Sequence, residues 1–203
     1  MTRDFVDRIL ASTEWARASS WGSPRRGHPE GTLKRHVEEQ VLPFIDRFYA
    51  ALDDYWALVA LAYLHDIGKP DVLRVEGRMS GDPHSVLSAG IAERLGTPAR
   101  LTNVIRLHDR PYSYWRRLRG KHGKPSAVRW TAERRAKFRQ EFGAPELDLA
   151  LLVRFQRADN GYRRAPVLDE AVDPVLWFEN RVLAEHLLAE LPPEGKDQRY
   201  PAG

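Results

Sequence analysis

No cysteine occurs in the 203 residues. Its absence excludes a disulfide framework, a thiolate zinc site and a cysteine nucleophile. No run approaches the ~18 consecutive apolar residues of a transmembrane helix. The first residues, MTRDFVDRILASTEW, place acids in and beside their apolar positions, where a signal peptide would have an uninterrupted apolar core. The expected compartment is the cytoplasm, with no membrane partner. Acids are scarce where bases crowd. Between residues 100 and 140, thirteen Lys and Arg face only Asp109 and Glu133, although the whole chain carries a net charge of just +4.

What is present is the composition of a folded chain: 42% hydrophobic, 30% charged and 10% aromatic residues. That balance excludes disorder over most of the length. One domain is the prior at this size, and roughly 70% of the unfolded surface can be buried. The basic block raises local positive potential and suits phosphates on a nucleotide, a nucleic acid or a sugar. Within residues 110–139, Tyr112, Tyr114, Trp115 and Trp130 interleave with the bases, a pattern that suits stacking on bases along a phosphate track. A solvated Arg-rich surface, or a lid loop anchored by buried aromatics, explains the same residues.

Apolar spacing of 3.6 residues dominates and strand-like alternation is scarce, so the chain reads as all-α. A first helix is expected over 3–17, followed by a turn-rich loop, SSWGSPRRGHPEG. Thr32 caps a second helix to about Ala51. Asp53 or Asp54 opens a third, Tyr55–Leu64, which is apolar all round and therefore belongs in the core. Gly68 is read as its left-handed stop. Residues 70–82 look irregular, with a short hairpin around Glu76-Gly77. A fourth helix over 85–96 stops at Gly96, and Thr97-Pro98 opens a fifth. A long exposed basic loop spans 110–129, and a short basic helix follows over 131–142. Pro145 starts a helix to Ala158, and Asp173-Pro174 starts the last, ending near Leu191-Pro192. The organisation expected is one domain over 1–192 with a loose tail over 193–203.

The chemistry concentrates at the end of the third helix. The most apolar helix should not end in two ionisable residues, His65-Asp66, unless something satisfies them, because unpaired buried charge is expensive. A divalent cation resolves this by bonding to imidazole nitrogen and carboxylate oxygen. Further ligands are sought among His36, mid-helix in the second helix, and Asp159, after the apolar run LALLVRF. His84 and His108, at a helix start and a helix end, complete the set. His28 reads as a loop histidine, and His122 and His186 as surface residues.

At these residues the chain resembles the HD superfamily of metal-dependent hydrolases, whose signature is an ordered His, His-Asp, Asp. The HDIG-type variant stands as His65-Asp66-Ile67-Gly68-Lys69-Pro70. The stretch from Gly81-Asp82-Pro83-His84 to Val104-Ile105-Arg106-Leu107-His108 is similar to the HD domain attached to some bacterial tRNA nucleotidyltransferases. The resemblance covers about residues 32–163 and implies a free-standing HD-type helical bundle, with the basic loop and helix inserted before the last helices. The nucleotidyltransferase head domain is missing, as are the GYP motif of cyclic-di-GMP phosphodiesterases (Gly161-Tyr162 is followed by Arg163) and the kinase domain of HD-containing RNA end-healing enzymes.

The resemblance implies one or two divalent transition-metal ions (Mn, Fe, Co, Ni or Zn). The ligands would be His36, His65, Asp66 and Asp159, joined by His84 and His108 if two ions bind. In HD proteins with one metal, histidines at the last two positions instead line the pocket and touch phosphate. Asp66, Lys69, His84 and His108 would be catalytic. Lys69, Arg106, Arg110, Arg154 and Arg157 would contact a small phosphorylated anion or a nucleic-acid end. The reaction implied is phosphoester hydrolysis by metal-activated water. Two other readings stay open. One is an HD-type di-iron oxygenase cleaving a C–H, C–C or C–P bond of a small anion. The other is a non-catalytic nucleic-acid-binding module that keeps its ligands for stability.

Overall fold

The computed structural model describes residues 1–24, 29–75, 78–79, 81–110 and 146–160, together with 136, 140 and 142. These residues form an all-α fold with one two-residue hairpin. Its helices are α1 (Arg3–Leu10), α2 (Thr13–Ser19), α3 (Leu33–His36), α4 (Leu42–Tyr49), α5 (Tyr55–Leu64), α6 (His84–Arg94), α7 (Ala99–Leu107) and α8 (Leu149–Asn160). The hairpin pairs β1 (Arg74–Val75) with β2 (Arg78–Met79), antiparallel, with Arg74 opposite Met79. No helix among the described residues is long and apolar enough to cross a membrane.

The core is built around α5. Every residue from Ala57 to Leu64 is buried, and α1, α4, α6, α7 and α8 all pack on this helix. Burying one Leu or Val side chain contributes about 1.5–3 kcal/mol, so a helix buried on every side is the main apolar anchor. α8 lies beside it in the same direction. Arg100 holds Asp54, before α5, at 2.8 Å and Asp148, before α8, at 2.6 Å. Asp54 to His65 and Asp148 to Asp159 are both eleven residues. At 1.5 Å per residue the two helices therefore end level, with Asp159 beside His65.

Several boundaries differ from the sequence expectation. The first helix is two, because Ser12 caps α2 through Trp15 N–H while its own hydroxyl donates to Ile9 O at 2.6 Å. Such side-chain competition for backbone groups ends a helix. Thr32 does cap the second run, accepting from Arg35 N–H, but that run holds a π-turn over Val37–Val41 in which Leu42 N–H reaches Val37 O. Pro43 has no N–H for the carbonyl four residues back, and its ring would crowd that carbonyl. Pro98 occupies the cap of α7, one position later than expected. α8 is capped by Asp148, which accepts from Leu151 N–H at 2.9 Å. Gly96, at φ +79°, does stop α6 in the left-handed region. The loop over 111–129, most of the basic helix, Pro145, the last helix and the tail lie outside the described residues.

Gly68 is not a left-handed stop, since its φ is −85°. It is needed for space. A Cβ there would sit 2.6 Å from Ser88 N and 2.9 Å from the Leu87 carbonyl carbon. Gly68 N–H also donates to the buried Ser88 hydroxyl at 2.9 Å. The turn after α5 is thus pressed onto α6, and the 3-10 turn that follows (Lys69–Asp71) is tied to α2 by Arg17–Asp71 at 2.7 Å.

Gly68→Ala should therefore destabilise the fold by about 1–3 kcal/mol through overpacking against backbone. Gly90→Ala, in α6 with nothing closer than 3.9 Å, should stabilise it by about 0.5–1 kcal/mol. Urea unfolding midpoints of the two variants check both signs.

Candidate metal centre

Four helix ends and one mid-run position deliver the polar side chains to one place. His65 and Asp66 leave the C-terminal end of α5, His108 and Asp109 follow α7, His84 opens α6, Asp159 lies near the end of α8, and His36 closes α3. The helix ends matter chemically. His65 Nδ1 lies 3.0 Å from Ala62 O and His108 Nδ1 2.7 Å from Ile105 O. A carbonyl only accepts, so Nδ1 carries the proton in each ring and Nε2 is the atom turned to the cluster.

Distances then define three overlapping groups: His36, His65 and Asp159; His65, Asp66 and His108; and His84, His108 and Asp109. Within each, the potential ligand atoms lie inside 4.8 Å of one another. His36 Nε2 is 2.9 Å from Asp159 Oδ1, and His65 Nε2 is 3.5 Å from the same oxygen. Asp66 sits between the outer groups. Its Oδ2 lies 3.2 Å from His65 Nε2, and its Oδ1 lies 3.1 Å from His84 Nε2 and 3.7 Å from His108 Nε2. His84 Nε2 is also 2.9 Å from Asp109 Oδ2.

The residues fit a cation. His65 Nε2, Asp66 Oδ1 and His84 Nε2 are buried, and despite these short distances none is aligned for a hydrogen bond. Buried polar atoms left in that state are costly. Lone pairs converging from imidazoles and carboxylates are the donor set of divalent Mn, Fe, Co, Ni and Zn. The electrostatics agree. Burial opposes protonation of His65, but the Asp66 and Asp159 carboxylates outweigh it and raise its pKa to about 10. Burial likewise opposes His84, which Asp109 and Asp66 raise to about 9. Burial would raise Asp66, yet His65, Lys69 and His108 hold it well below the usual carboxylate range. The pocket is thus rich enough in carboxylate charge to favour added positive charge, from a proton or a metal.

Against protein-family models, curated proteins and solved structures, the chain finds no match. The site stands on its own geometry.

All six residues read from the sequence as ligands, His36, His65, Asp66, His84, His108 and Asp159, are brought together. Lys69 Nζ contacts Asp66 Oδ2 directly and lies 5.8 Å from the Trp21 ring. Two of the arginines pair away from the cluster. Arg106 pairs with Glu93 at 2.9 Å, and Arg154 reaches Asp54, at the opposite end of α5 from His65. Arg157 is fully buried, and Arg110 is exposed after Asp109. His28, His122, His186 and residues 111–135 lie outside the described residues. Asp109 was not foreseen, although His108-Asp109 repeats the His65-Asp66 doublet and that repetition was a readable signal. Glu30 was also missed. It is buried 3.5 Å from His36 Nδ1, and nothing in its local sequence marks it.

Added Mn²⁺ or Zn²⁺ should raise the melting temperature, since a ligand at a hundred times its Kd stabilises by about 2.7 kcal/mol. Asp66→Ala combined with Asp159→Ala should abolish the metal-induced shift. Scanning calorimetry with and without chelator measures it.

Proposed function

We propose that this chain is a metal-dependent phosphohydrolase of the HD type, acting on a phosphoester whose class is a nucleotide or an RNA end with a cyclic or terminal phosphate. The carrying observation is the convergence of three imidazoles, His65, His84 and His108, on the Asp66 carboxylate, with the Lys69 ammonium against the same group and His36 joined through Asp159. His36, His65, Asp66 and Asp159 would hold one cation. His84, His108 and Asp109, sharing Asp66, would hold a second.

When bound, such a cation supplies Lewis acidity and brings the pKa of its water near neutrality. The chain's own groups supply the rest. Lys69 offsets negative charge on the phosphoryl oxygens. Its place above the Trp21 ring keeps the ammonium beside the cluster. Most ligands are imidazoles, which add no negative charge, so an anion meets less repulsion than in an all-carboxylate cage. His84, with 20% of its side chain exposed against 1–4% for His36, His65 and His108, lines the solvent edge where a phosphoryl group enters. The sequence beyond residue 110 is also rich in Lys and Arg, a charge that favours phosphate ligands.

Phosphate release should therefore be detectable in a phosphoester screen stimulated by Mn²⁺, Co²⁺ or Ni²⁺. Asp66→Ala should reduce kcat by at least two orders of magnitude, and Lys69→Ala by roughly 10²–10³. Turnover surviving in Asp66→Ala after loss of metal would remove the site from the mechanism. Dioxygen uptake by iron-loaded protein in place of phosphate release would favour the oxygenase alternative.

A further inference from the structure

His36 differs from its neighbours in how its second nitrogen is held. His65 and His108 each turn Nδ1 to the carbonyl three residues back. At His36 the equivalent carbonyl, Leu33 O, is engaged by Val37 N–H. Two side chains stand in its place. Gln40 Oε1, in the π-turn, lies 3.3 Å from His36 Nδ1, and Glu30 Oε1 lies 3.5 Å from it. The pair is joined, since Gln40 Nε2 donates to Glu30 Oε2 at 3.2 Å. Because that bond spends the Gln40 amide as a donor on Glu30, its oxygen is the end left facing the ring.

We propose that Glu30, with Gln40, is a positioning residue: the pair keeps the proton of His36 on Nδ1 and aims Nε2 at Asp159 and His65. This rests on His36 being a cation ligand. The physical case is the burial of Glu30, only 6% exposed, among residues lining the cavity beside His36, Asp66 and Lys69. A carboxylate kept out of water is expensive, and an apolar side chain there would cost the fold less. A carboxylate behind a metal-binding imidazole, however, fixes the tautomer and raises the basicity of the other nitrogen. The π-turn contributes by carrying Gln40, one turn after His36, onto the ring that His36 presents to the cluster.

The test is Mn²⁺ titration calorimetry of the full chain and its variants, with melting temperature read in parallel. Glu30→Leu should weaken Mn²⁺ binding about 10–100-fold, Glu30→Gln less, and Gln40→Leu by an intermediate factor, with little change in melting temperature. In Zn²⁺-loaded wild type, nitrogen-15 spectra should show a slowly exchanging Nδ1 proton on His36. Glu30→Leu should shift it and speed its exchange, while the His65 and His108 ring protons stay in place. Should Glu30→Leu fail to fold, Glu30→Gln and Gln40→Leu decide by the same two readouts. Unchanged affinity and an unchanged His36 proton in folded variants overturn the positioning role alone. No Mn²⁺ binding by wild type overturns the metal centre beneath it, and the role with it.

Discussion

The structure depends on one conflict: its most apolar helix ends in an imidazole and a carboxylate, both inside the core. α5 can be buried on every side because no charged side chain lies between Ala57 and Leu64, where Tyr63 carries the one side-chain polar group. The same burial drags His65 and Asp66 out of water, at 1% and 2% exposure. Ionisable groups there must be met by opposite charge or by metal. Asp159, His108, His84 and Lys69 gather around them.

Two devices make the convergence possible. Registration shows at Arg100, which ties the starts of α5 and α8, so that equal spans bring Asp159 level with His65. The contact is half exposed and contributes little energy, so it marks a register that the apolar packing of α5 and α8 holds. Closeness comes from Gly68, where the absence of a side chain lets the turn after α5 seat on α6 near His84. A third device concerns lone pairs. Histidines placed just past the ends of α5 and α7 can bond their Nδ1 to a free carbonyl of the last turn, which leaves Nε2 for the cluster.

The fold class was legible because a 3.6-residue apolar period survives in any context. Of the six ligand candidates, His65, Asp66 and Asp159 close apolar runs with groups that burial would penalise, whereas His36, His84 and His108 were read from their helix positions and their order along the chain. Residues without such a contrast stayed hidden. Glu30 stands in a turn-rich segment where an acid is ordinary. Arg106 and Arg154 found carboxylates elsewhere, because charge alone does not say toward which partner a long side chain turns. The π-turn had a readable signal in Pro43, which falls in the middle of the run expected from Thr32 to Ala51 and interrupts a regular ladder there.

By itself the sequence determined that the chain is helical, that Tyr55–Leu64 is its core helix, and that imidazoles and carboxylates stand where burial makes them expensive. Those are local properties, set by periodicity and by the cost of desolvation. Only the tertiary structure decided which of these groups meet, that Asp109 and Glu30 join them, and why residue 68 must be glycine. Each of these depends on distances between segments far apart along the chain, which helix register and close packing set and local composition does not encode.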